Sequence, residues 1–505
     1  MGNVTIDVDK QETKRKSHYP SFSADVITLI GGTTVAQLIF MVAAPVVARI
    51  YGADAFGISA LFTSIVGILT VVSCMRYELS IMLPNSDEEA ANLLAVSLLM
   101  TLFVSLMTTF ILWVFGDTIT LMFNAIELRP FLWLVPPMVL LSGTFLAINY
   151  WNSRTRQFKR LSAAQISKAI STTSTQLGMG ITGNVSGGSL IGATLVGQTI
   201  ATSTLGYQIW KSDKALFKKS ICWKSVVGGL KKYRDFPLYD LWSALINNIS
   251  LQLPIFMLAI FFSSNIVGYY SLGLTVLLLP MTFIGSAVAQ VFFQRAVEGK
   301  HESDKKLTLV VESTTRRLIA IGFMPILMLT LLGKELFIFV FGSAWAEAGV
   351  YAQILSFWIL ISFVTTPIST LYPIFNKLKI ALIINTVVLI ARACSLLVGG
   401  ISGDIYLGLL LFSISGGIIY IAGGYWFLTL SNVSIKRLFG PIYKTLAIGC
   451  FLLFILYILK GYVASNSLTI IALAIISIFL YYVVLLMNDE EMKKQLLNVL
   501  RRNSI

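Results

Sequence analysis

The chain has 505 residues, of which 56% are hydrophobic and only 12% are charged, and its mean hydropathy is +0.80. This composition excludes an ordinary water-soluble globular protein. The net charge of +14 is spread over short loops beside apolar stretches, so a nucleic-acid partner is not expected.

Apolar stretches of membrane-spanning length recur along the whole chain, about fourteen in all. Each can cross ~30 Å of hydrocarbon as a helix, because a helix rises ~1.5 Å per residue. The sequence therefore predicts a polytopic, multi-pass membrane protein. The predicted spans are 24–48, 57–75, 91–115, 131–150, 161–182, 189–210, 238–260, 268–293, 318–341, 350–375, 380–400, 405–430, 444–463 and 468–487.

The loops between these spans alternate in charge. Nearly all of the 38 Lys and Arg residues fall on the tails and on every second loop. Positively charged loops remain in the cytoplasm, so this pattern places both termini there.

A weak internal repeat divides the chain. Asp25 opens the first span and Gly57 begins the second, while Asp240 and Gly268 hold the corresponding positions six spans later. An even number of spans between the copies gives them parallel topology, related by an axis along the membrane normal. The predicted fold is all-α, with two pseudo-symmetric six-helix lobes, a cavity between them and two further helices. The predicted boundaries are a cytoplasmic tail at 1–23, a first lobe at 24–210, an inter-lobe loop at 211–237, a second lobe at 238–430, two spans within 444–487 and a cytoplasmic amphipathic helix at 488–505.

Polar side chains inside several spans predict a water-filled cavity, since a charge facing lipid costs ~2.5–3.5 kcal/mol. Arg392 lies near the middle of the eleventh span, with Asn385 on the same face. Lys168 belongs to a hydroxyl-rich stripe in the fifth span and Asn247 to one in the seventh. Such cations can bind an anionic headgroup through charge-assisted hydrogen bonds. The alternatives are a structural ion-pair or hydrogen-bond role for Arg392 and a reach of Lys168 to the cytoplasmic interface.

Two carboxylates stand at the starts of spans. Asp25 and Asp240 occupy positions where a side chain can cap free N–H groups, which is the simpler interpretation. They are also the best-placed acids for coupling transport to a cation gradient.

Catalytic and metal-binding patterns do not emerge from the sequence. The two histidines lie in charged segments, the four cysteines are widely scattered, and no phosphate-binding Gly-x-x-x-x-Gly-Lys-Ser/Thr motif occurs. We therefore expect no enzyme, metal site or cofactor, with coupling to H⁺ or Na⁺ left open.

Four local sequences resemble bacterial polysaccharide, or O-antigen (Wzx-type), flippases. They are RIYGADAFG at 49–57, MRYELSIMLPNSDEEA at 75–90, YWNSRTRQFKR at 150–160 and VFGSAWAEAG at 340–349. The resemblance extends over essentially the whole chain. It implies membership of the multidrug, oligosaccharidyl-lipid and polysaccharide exporter superfamily, whose lobes form the V of multidrug (MATE) exporters.

The activity implied by this resemblance is transport without covalent chemistry. An undecaprenyl-pyrophosphate-linked repeat unit would move from the cytoplasmic to the periplasmic (outer) leaflet of the bacterial inner membrane by alternating access. The product would enter O-antigen, capsule or exopolysaccharide. The implied partners are this lipid-linked oligosaccharide, membrane lipid, a polysaccharide polymerase and a chain-length regulator.

The resemblance also suggests roles for individual residues. Positive charges in the cavity would hold the anionic headgroup, which nominates Arg392, then Lys168 and Arg49, with Asn385 and Asn247 beside them.

A second group of residues is predicted to act in gating or coupling. Arg76 and Glu78 would form a cytoplasmic gate pair, joined by Asp25 and Asp240. Opposite charges two residues apart on a helix reach neighbouring helices more easily than each other. The alternative for Arg76 is a charge that only sets topology.

Other functions fit the same hydrophobic profile. A cation-coupled multidrug exporter of the same superfamily would want a buried carboxylate, and a lipid II flippase is a sister possibility. A membrane-embedded glycan polymerase or acyltransferase would be expected to show a large outward loop or a histidine at the membrane face. This chain shows neither.

Overall fold

The computed structural model describes residues 22–462 and 467–488. Of these, the side chains of 22–30, 284, 286, 287, 290, 378 and 467 are not described. The predicted N-terminal tail and the predicted amphipathic helix after Asn488 lie outside the described residues.

Fourteen long helical segments account for most of the described residues, and no strand occurs among those residues. The eighth segment is continued after Pro280 by a π-helical turn at Met281–Gly285 and a further α-helix at Ser286–Glu302. The predicted all-α architecture with about fourteen spans is confirmed. The helices are α1 (Phe22–Ile50), α2 (Ala53–Ser73), α3 (Asp87–Met122), α4 (Val135–Arg154), α5 (Phe158–Ile181), α6 (Gly187–Ser220), α7 (Leu241–Phe261), α8 (Ser264–Pro280), α9 (Asp304–Phe341), α10 (Ala346–Ile368), α11 (Leu378–Ser402), α12 (Ile405–Leu430), α13 (Tyr443–Tyr462) and α14 (Ser467–Asn488).

Twelve spans among the described residues are long and apolar enough to cross a membrane. The two long helices that are too polar for this criterion are α5 and α6, which carry many hydroxyl groups. The hydroxyl groups of Thr172 and Thr173 on α5 are buried. Burial against other helices is what allows such polar segments to lie at membrane depth.

The same helix pairs pack in both halves of the chain. In the first half α1 packs on α5, α5 on α6, α3 on α4, and α4 on α6. In the second half α7 packs on α11, α11 on α12, α9 on α10, and α10 on α12. Adding six to each helix number of a pair in the first half gives the matching pair in the second half. This correspondence confirms two pseudo-symmetric six-helix lobes.

The lobes meet closely through two related glycines. A side chain on Gly57 of α2 would collide with the backbone carbonyl of Ser264, and one on Gly268 of α8 with that of Ala53. These are the glycines that marked the internal repeat in the sequence. Their reciprocal contacts place the pseudo-twofold axis between α2 and α8, where missing side chains let the backbones approach.

The last two helices attach to the second lobe through a bend in α9. The backbone leaves helical geometry at Leu332, with φ −119° and ψ 16°. Gln353 on α10 donates to the carbonyls of Thr330 and Leu331 at 3.1 and 3.2 Å. Lys460 on α13 donates to the Leu331 carbonyl at 3.0 Å. The polar groups freed by the bend are thus satisfied by neighbouring helices, as burial in a membrane protein requires.

The predicted inter-lobe loop at 211–237 is largely helical. Helix α6 continues to Ser220, and a short helix follows at Trp223–Lys232. Asn92 of α3 fixes the break between them, donating to the Ser220 carbonyl at 2.9 Å and accepting from the Cys222 amide at 3.2 Å. The predicted span ends at 210, where the apolar residues stop, whereas α6 continues to Ser220 and ends beside Asn92.

Candidate functional site

A polar cavity of 420 Å³ lies in the second lobe between α7, α11 and α12. The segment that follows α2 in the first lobe reaches the opening of this cavity through Arg76. The cavity brings together five of the nine residues nominated from the sequence, namely Arg76, Asp240, Asn247, Asn385 and Arg392.

Arg392 supplies the buried charge of this cavity. It is 6% exposed, in the middle of α11. Its Nη1 donates to the Ser250 carbonyl at 3.2 Å and reaches the Ser250 hydroxyl at 3.5 Å. Its Cζ lies 5.3 Å from the centre of the Trp358 ring and 5.5 Å from that of Phe412. The rings stabilise the cation through their negative faces and fix its direction.

Among the described residues, no carboxylate lies within ion-pair distance of Arg392. A guanidinium has five N–H donors, and only Nη1 has a hydrogen-bond partner in the described part of the chain. A buried charge without a counter-ion is costly, and an anion that enters the cavity would remove that cost. Of the structural roles that the sequence left open for Arg392, the ion pair is not formed among the described residues, whereas a hydrogen bond to Ser250 is.

A second charged group closes the mouth of the cavity. The Nε of Arg76 lies 2.6 Å from the Asp240 carboxylate, and its Nη1 lies 3.4 Å from Glu78. Arg76 belongs to the first lobe and Asp240 to the second. The ion pair therefore joins the two lobes at this end of the bundle.

The backbone before Glu78 is unusual. Met75 and Arg76 both have positive φ, 52° and 65°, a region that L-residues with side chains seldom occupy. This conformation turns the chain sharply after α2 and directs the Arg76 side chain toward the other lobe. The sequence shows no glycine or asparagine there, so the turn could not be read from composition.

Asp240 does not cap a helix, contrary to the simpler interpretation of its position. Its own backbone is helical and its side chain makes no capping hydrogen bond. A π-helical turn at Phe236–Asp240 precedes α7, so the unpaired N–H groups of the helix start belong to residues before Asp240. The Asp240 carboxylate pairs with Arg76 instead. Asp25 lies within α1, but its side chain is not described.

Glu78 is completely buried beside this ion pair. Its Oε2 has no hydrogen-bond partner among the described residues. Burial raises the pKa of Glu78 to about 7, although the nearby Arg76 guanidinium opposes the shift. The acid can therefore gain or lose a proton near neutral pH.

The other nominated cations lie away from the polar cavity. Arg49 is at the opposite end of the bundle, where it donates to the carbonyls of Phe339 and Val340 at 2.6 and 3.2 Å. It thereby joins α1 of the first lobe to the end of α9 in the second. Lys168 is half-buried on α5 and does not line the cavity. Although α5 and α11 are equivalent helices of the two lobes, Lys168 and Arg392 do not line a common cavity.

The space between the lobes is mostly apolar. A cavity of 630 Å³ is bounded by α1, α2, α5, α6, α8 and α9, and side chains such as Phe40, Leu272, Phe337 and Phe341 dominate its walls. Its polar lining includes Gln37, and none of the nominated cations reaches it. The predicted polar cavity therefore lies within one lobe and not between the two.

Sequence reasoning missed the aromatic part of the site. Trp358, Phe412 and Tyr420 surround Arg392 and the cavity from α10 and α12. Ser250 was visible as part of a polar stripe, because hydroxyl groups recur at helical spacing along α7. The aromatic residues carry no comparable signal, since apolar rings occur throughout membrane helices.

Several known proteins share this architecture. The lipid II flippase MurJ in an inward closed conformation superposes with a TM-score of 0.71 and 14% identity, over 92% of this chain and 99% of that chain. An inward-facing multidrug resistance MATE transporter gives a TM-score of 0.62 at 13% identity, over 80% and 94% of the two chains. A transporter of the same MOP superfamily from Pyrococcus furiosus gives 0.53 at 14% identity, over 81% and 96%. At these identities the likeness concerns the fold.

Sequence comparison identifies the family more directly. Among curated protein sequences, none matches this chain significantly. The family described as polysaccharide biosynthesis protein matches residues 46–350, which is more than half of the chain. The match covers most of the first lobe, the inter-lobe contact and the first half of the second lobe. With its MurJ- and MATE-like fold, the chain belongs to the polysaccharide biosynthesis protein family, as the resemblance to Wzx-type flippases predicted.

Proposed function

We propose that this protein is a flippase for an undecaprenyl-pyrophosphate-linked oligosaccharide. It moves the lipid from the cytoplasmic to the outer leaflet of the bacterial cytoplasmic membrane by alternating access, without covalent chemistry. Both termini lie in the cytoplasm, and the Arg76 end of the bundle faces the same side. The glycan then serves O-antigen, capsule or exopolysaccharide synthesis, beside a polymerase and a chain-length regulator.

The observation that carries this proposal is the buried guanidinium of Arg392. It faces a polar cavity, has no carboxylate partner among the described residues and is held by two aromatic rings. A diphosphate supplies the missing negative charge and accepts several hydrogen bonds from a guanidinium. A cationic drug would instead be repelled from this position.

The contacts between the lobes support the alternating-access part of the proposal. At the Arg49 end the lobes are held by Arg49, by the glycine contacts of α2 and α8, and by Trp345, whose Nε1 donates to the Ala48 carbonyl at 2.8 Å. At the other end, the ion pair of Arg76 with Asp240 links them. Breaking the inter-lobe contacts at one end while those at the other end are formed exposes the binding site to each side of the membrane in turn.

A cation-coupled exporter of apolar compounds is the second candidate. The apolar cavity of 630 Å³ between the lobes favours it, because cavities of ~300–1,000 Å³ suit drug-sized ligands. In the flippase proposal the same cavity accommodates part of the isoprenoid chain.

The test is the leaflet distribution of the lipid-linked oligosaccharide in a strain that lacks the gene. We expect accumulation on the cytoplasmic face, and its disappearance when the wild-type gene is restored. Normal outer-leaflet delivery without the gene, in a strain that has no redundant flippase, would overturn the flippase proposal in favour of the exporter.

A further inference from the structure

A second, uncharged cleft adjoins the polar cavity. It has a volume of 210 Å³ and lies between α10, α11 and α12. Asn385, Val388 and Tyr420 line both spaces, so the cleft and the polar cavity share a wall. This volume is several times the ~30 Å³ that a water molecule occupies in the liquid, which leaves room for a larger chemical group.

The lining of this cleft is neutral and combines apolar side chains with uncharged polar groups. No acidic or basic side chain is among the described residues that form it. Thr366, Ser369, Tyr372 and Tyr420 contribute hydroxyl groups, and Asn385 contributes an amide. The cleft therefore offers neutral hydrogen-bond donors and acceptors and no fixed charge.

Several of these groups are available to a ligand. The phenol groups of Tyr372 and Tyr420 and the amide of Asn385 make no hydrogen bond to other residues in the described part of the chain. The Tyr372 ring is held in place by Phe427, with ring centres 4.6 Å apart. The free groups are thus carried on side chains that packing already orients.

One glycine opens the wall of the cleft. A Cβ added at Gly423 would have only the Ile384 Cδ1 atom nearby, at 4.0 Å, whereas one added at Gly424 would lie 2.8 Å from Thr365 Cγ2. Gly424 is therefore needed for helix packing. Gly423 borders empty space within the cleft, so its missing side chain enlarges the cleft without being required for contact.

These properties select one kind of occupant. An isoprenoid chain would leave the phenol and amide groups without partners, which costs free energy. A phosphate would find no cation among the described residues that line the cleft. A neutral sugar ring satisfies the hydroxyl and amide groups and can lie against tyrosine rings.

We propose that this cleft binds the uncharged sugar nearest to the diphosphate, with Gly423 setting the size of the sugar that fits. The inference rests on the proposed function, because Arg392 would hold the diphosphate in the adjoining cavity. Tyr420 and Asn385, which line both spaces, then lie at the junction of diphosphate and sugar.

The test compares two probes on the purified full-length protein. One is a short-chain polyprenyl diphosphate without sugar, and the other is the same lipid diphosphate carrying one N-acetylhexosamine. We expect wild-type protein to bind the sugar-bearing probe more tightly. Gly423→Leu should lower the affinity for the sugar-bearing probe about tenfold, equivalent to ~1.4 kcal/mol, and leave the affinity for the sugar-free probe within twofold.

Two further variants make the result specific. Tyr372→Phe removes only a hydroxyl group and should weaken binding of the sugar-bearing probe alone. Gly206→Leu is the matched control on α6, because a Cβ there meets nothing within 4 Å and Gly206 lies outside both spaces. It should bind both probes as wild type does.

The failures are distinguishable. Equal wild-type affinity for the two probes, or an equal loss of both in Gly423→Leu, would overturn the sugar cleft and leave the flippase proposal standing. Wild-type protein that binds neither probe would overturn both proposals.

Discussion

Glu78 is an acid enclosed by other ionisable groups at the mouth of the polar cavity. Arg76 and Asp240 form the adjacent ion pair, and Cys74, just after α2, and Tyr150 of α4 lie near the same acid. Burial raises the pKa of Glu78 to about 7. Protonation of Glu78 would remove one of the two carboxylates that compete for Arg76, leaving that guanidinium to the inter-lobe pair with Asp240.

The raised pKa of Glu78 predicts a pH dependence of stability with a definite sign. Between pH ~4.5 and ~7 the unfolded chain releases this proton while the folded protein retains it, so the free energy of unfolding falls as pH rises. The contribution from Glu78 is on the order of 3 kcal/mol and levels off above the folded-state pKa. Glu78→Gln should abolish this part of the fall, measured as thermal unfolding in detergent from pH 4.5 to 8.

A nearby acid provides the control for this experiment. Glu88 is exposed at the start of α3, at the same end of the bundle. Glu88→Gln should retain the wild-type pH dependence. Identical pH profiles for wild type and Glu78→Gln would contradict the assignment of a raised pKa to Glu78.

Residue depth could be predicted from the sequence, but residue partners could not. Counting along the eleventh span placed Arg392 near mid-membrane, and the polar stripe of the seventh span included Ser250. The rings of Trp358 and Phe412 come from α10 and α12, the helices before and after α11, but the sequence does not show which faces of these helices meet Arg392. Lys168 lies on α5, the first-lobe counterpart of α11, so it is outside a polar cavity that lies within the second lobe.

At the scale of elements, α2 and α8 form the central contact between the lobes. The repeat made Gly57 and Gly268 visible in the sequence, but it could not show that they face each other. The structure explains why both are glycine, since each lies against a backbone carbonyl of the opposite helix. Helices that approach this closely depend on the absence of side chains.

Substitution of either glycine should weaken the inter-lobe contact. Gly57→Ala places a methyl group against the Ser264 carbonyl, and we expect a loss of ~1–3 kcal/mol in stability, the usual cost of overpacking. Gly268→Ala should cost a similar amount. The double variant should lose less than the sum, because one substitution already separates the helices.

Thermal unfolding of the four proteins measures this coupling. Gly52→Ala is the matched control at the same end, since a Cβ there meets nothing within 4 Å and its φ of −74° suits alanine. Unchanged stability in Gly57→Ala, or fully additive losses in the double variant, would contradict the reciprocal contact.

At the scale of the whole molecule, the two ends of the bundle differ in how the lobes are joined. The Arg49 end combines backbone contacts, a buried tryptophan hydrogen bond and a hydrogen bond from Ser264 to Asp54. The Arg76 end has the ion pair with Asp240. Alternating access requires the Arg49 end to separate during each cycle.

A reversible cross-link across the Arg49 end should therefore stop transport. In a variant without the four native cysteines, Asp54→Cys with Ser264→Cys places two thiols where the side chains now make a hydrogen bond. Oxidation should abolish glycan export and a reductant should restore it. The control is a second cysteine pair, Thr330→Cys with Ser356→Cys, at two hydroxyl groups that are 2.7 Å apart. It joins α9 and α10 within one lobe, so its oxidation should not stop export. Export that continues with the first pair fully oxidised would contradict separation at this end.

The overall architecture followed from hydropathy, loop charge and the repeat, because each of these patterns acts over many residues. The predicted spans and the lobes built from them have close counterparts in the fourteen helices. The position of the polar cavity did not follow. A cavity depends on which helix faces meet, and the sequence indicated a space between the lobes where the structure has apolar side chains.

The most direct test of the account is translocation of a polyprenyl-diphosphate-linked sugar by purified protein in proteoliposomes, comparing wild type with Arg392→Ala and Arg392→Lys. Loss of charged hydrogen bonds worth ~1.5–3 kcal/mol should slow Arg392→Ala about 10- to 100-fold, with Arg392→Lys intermediate because it keeps the charge but not the planar fork. Equal incorporation of the three proteins into the vesicles is the control. Wild-type translocation by fully incorporated Arg392→Ala would contradict the central claim that this buried cation holds the headgroup.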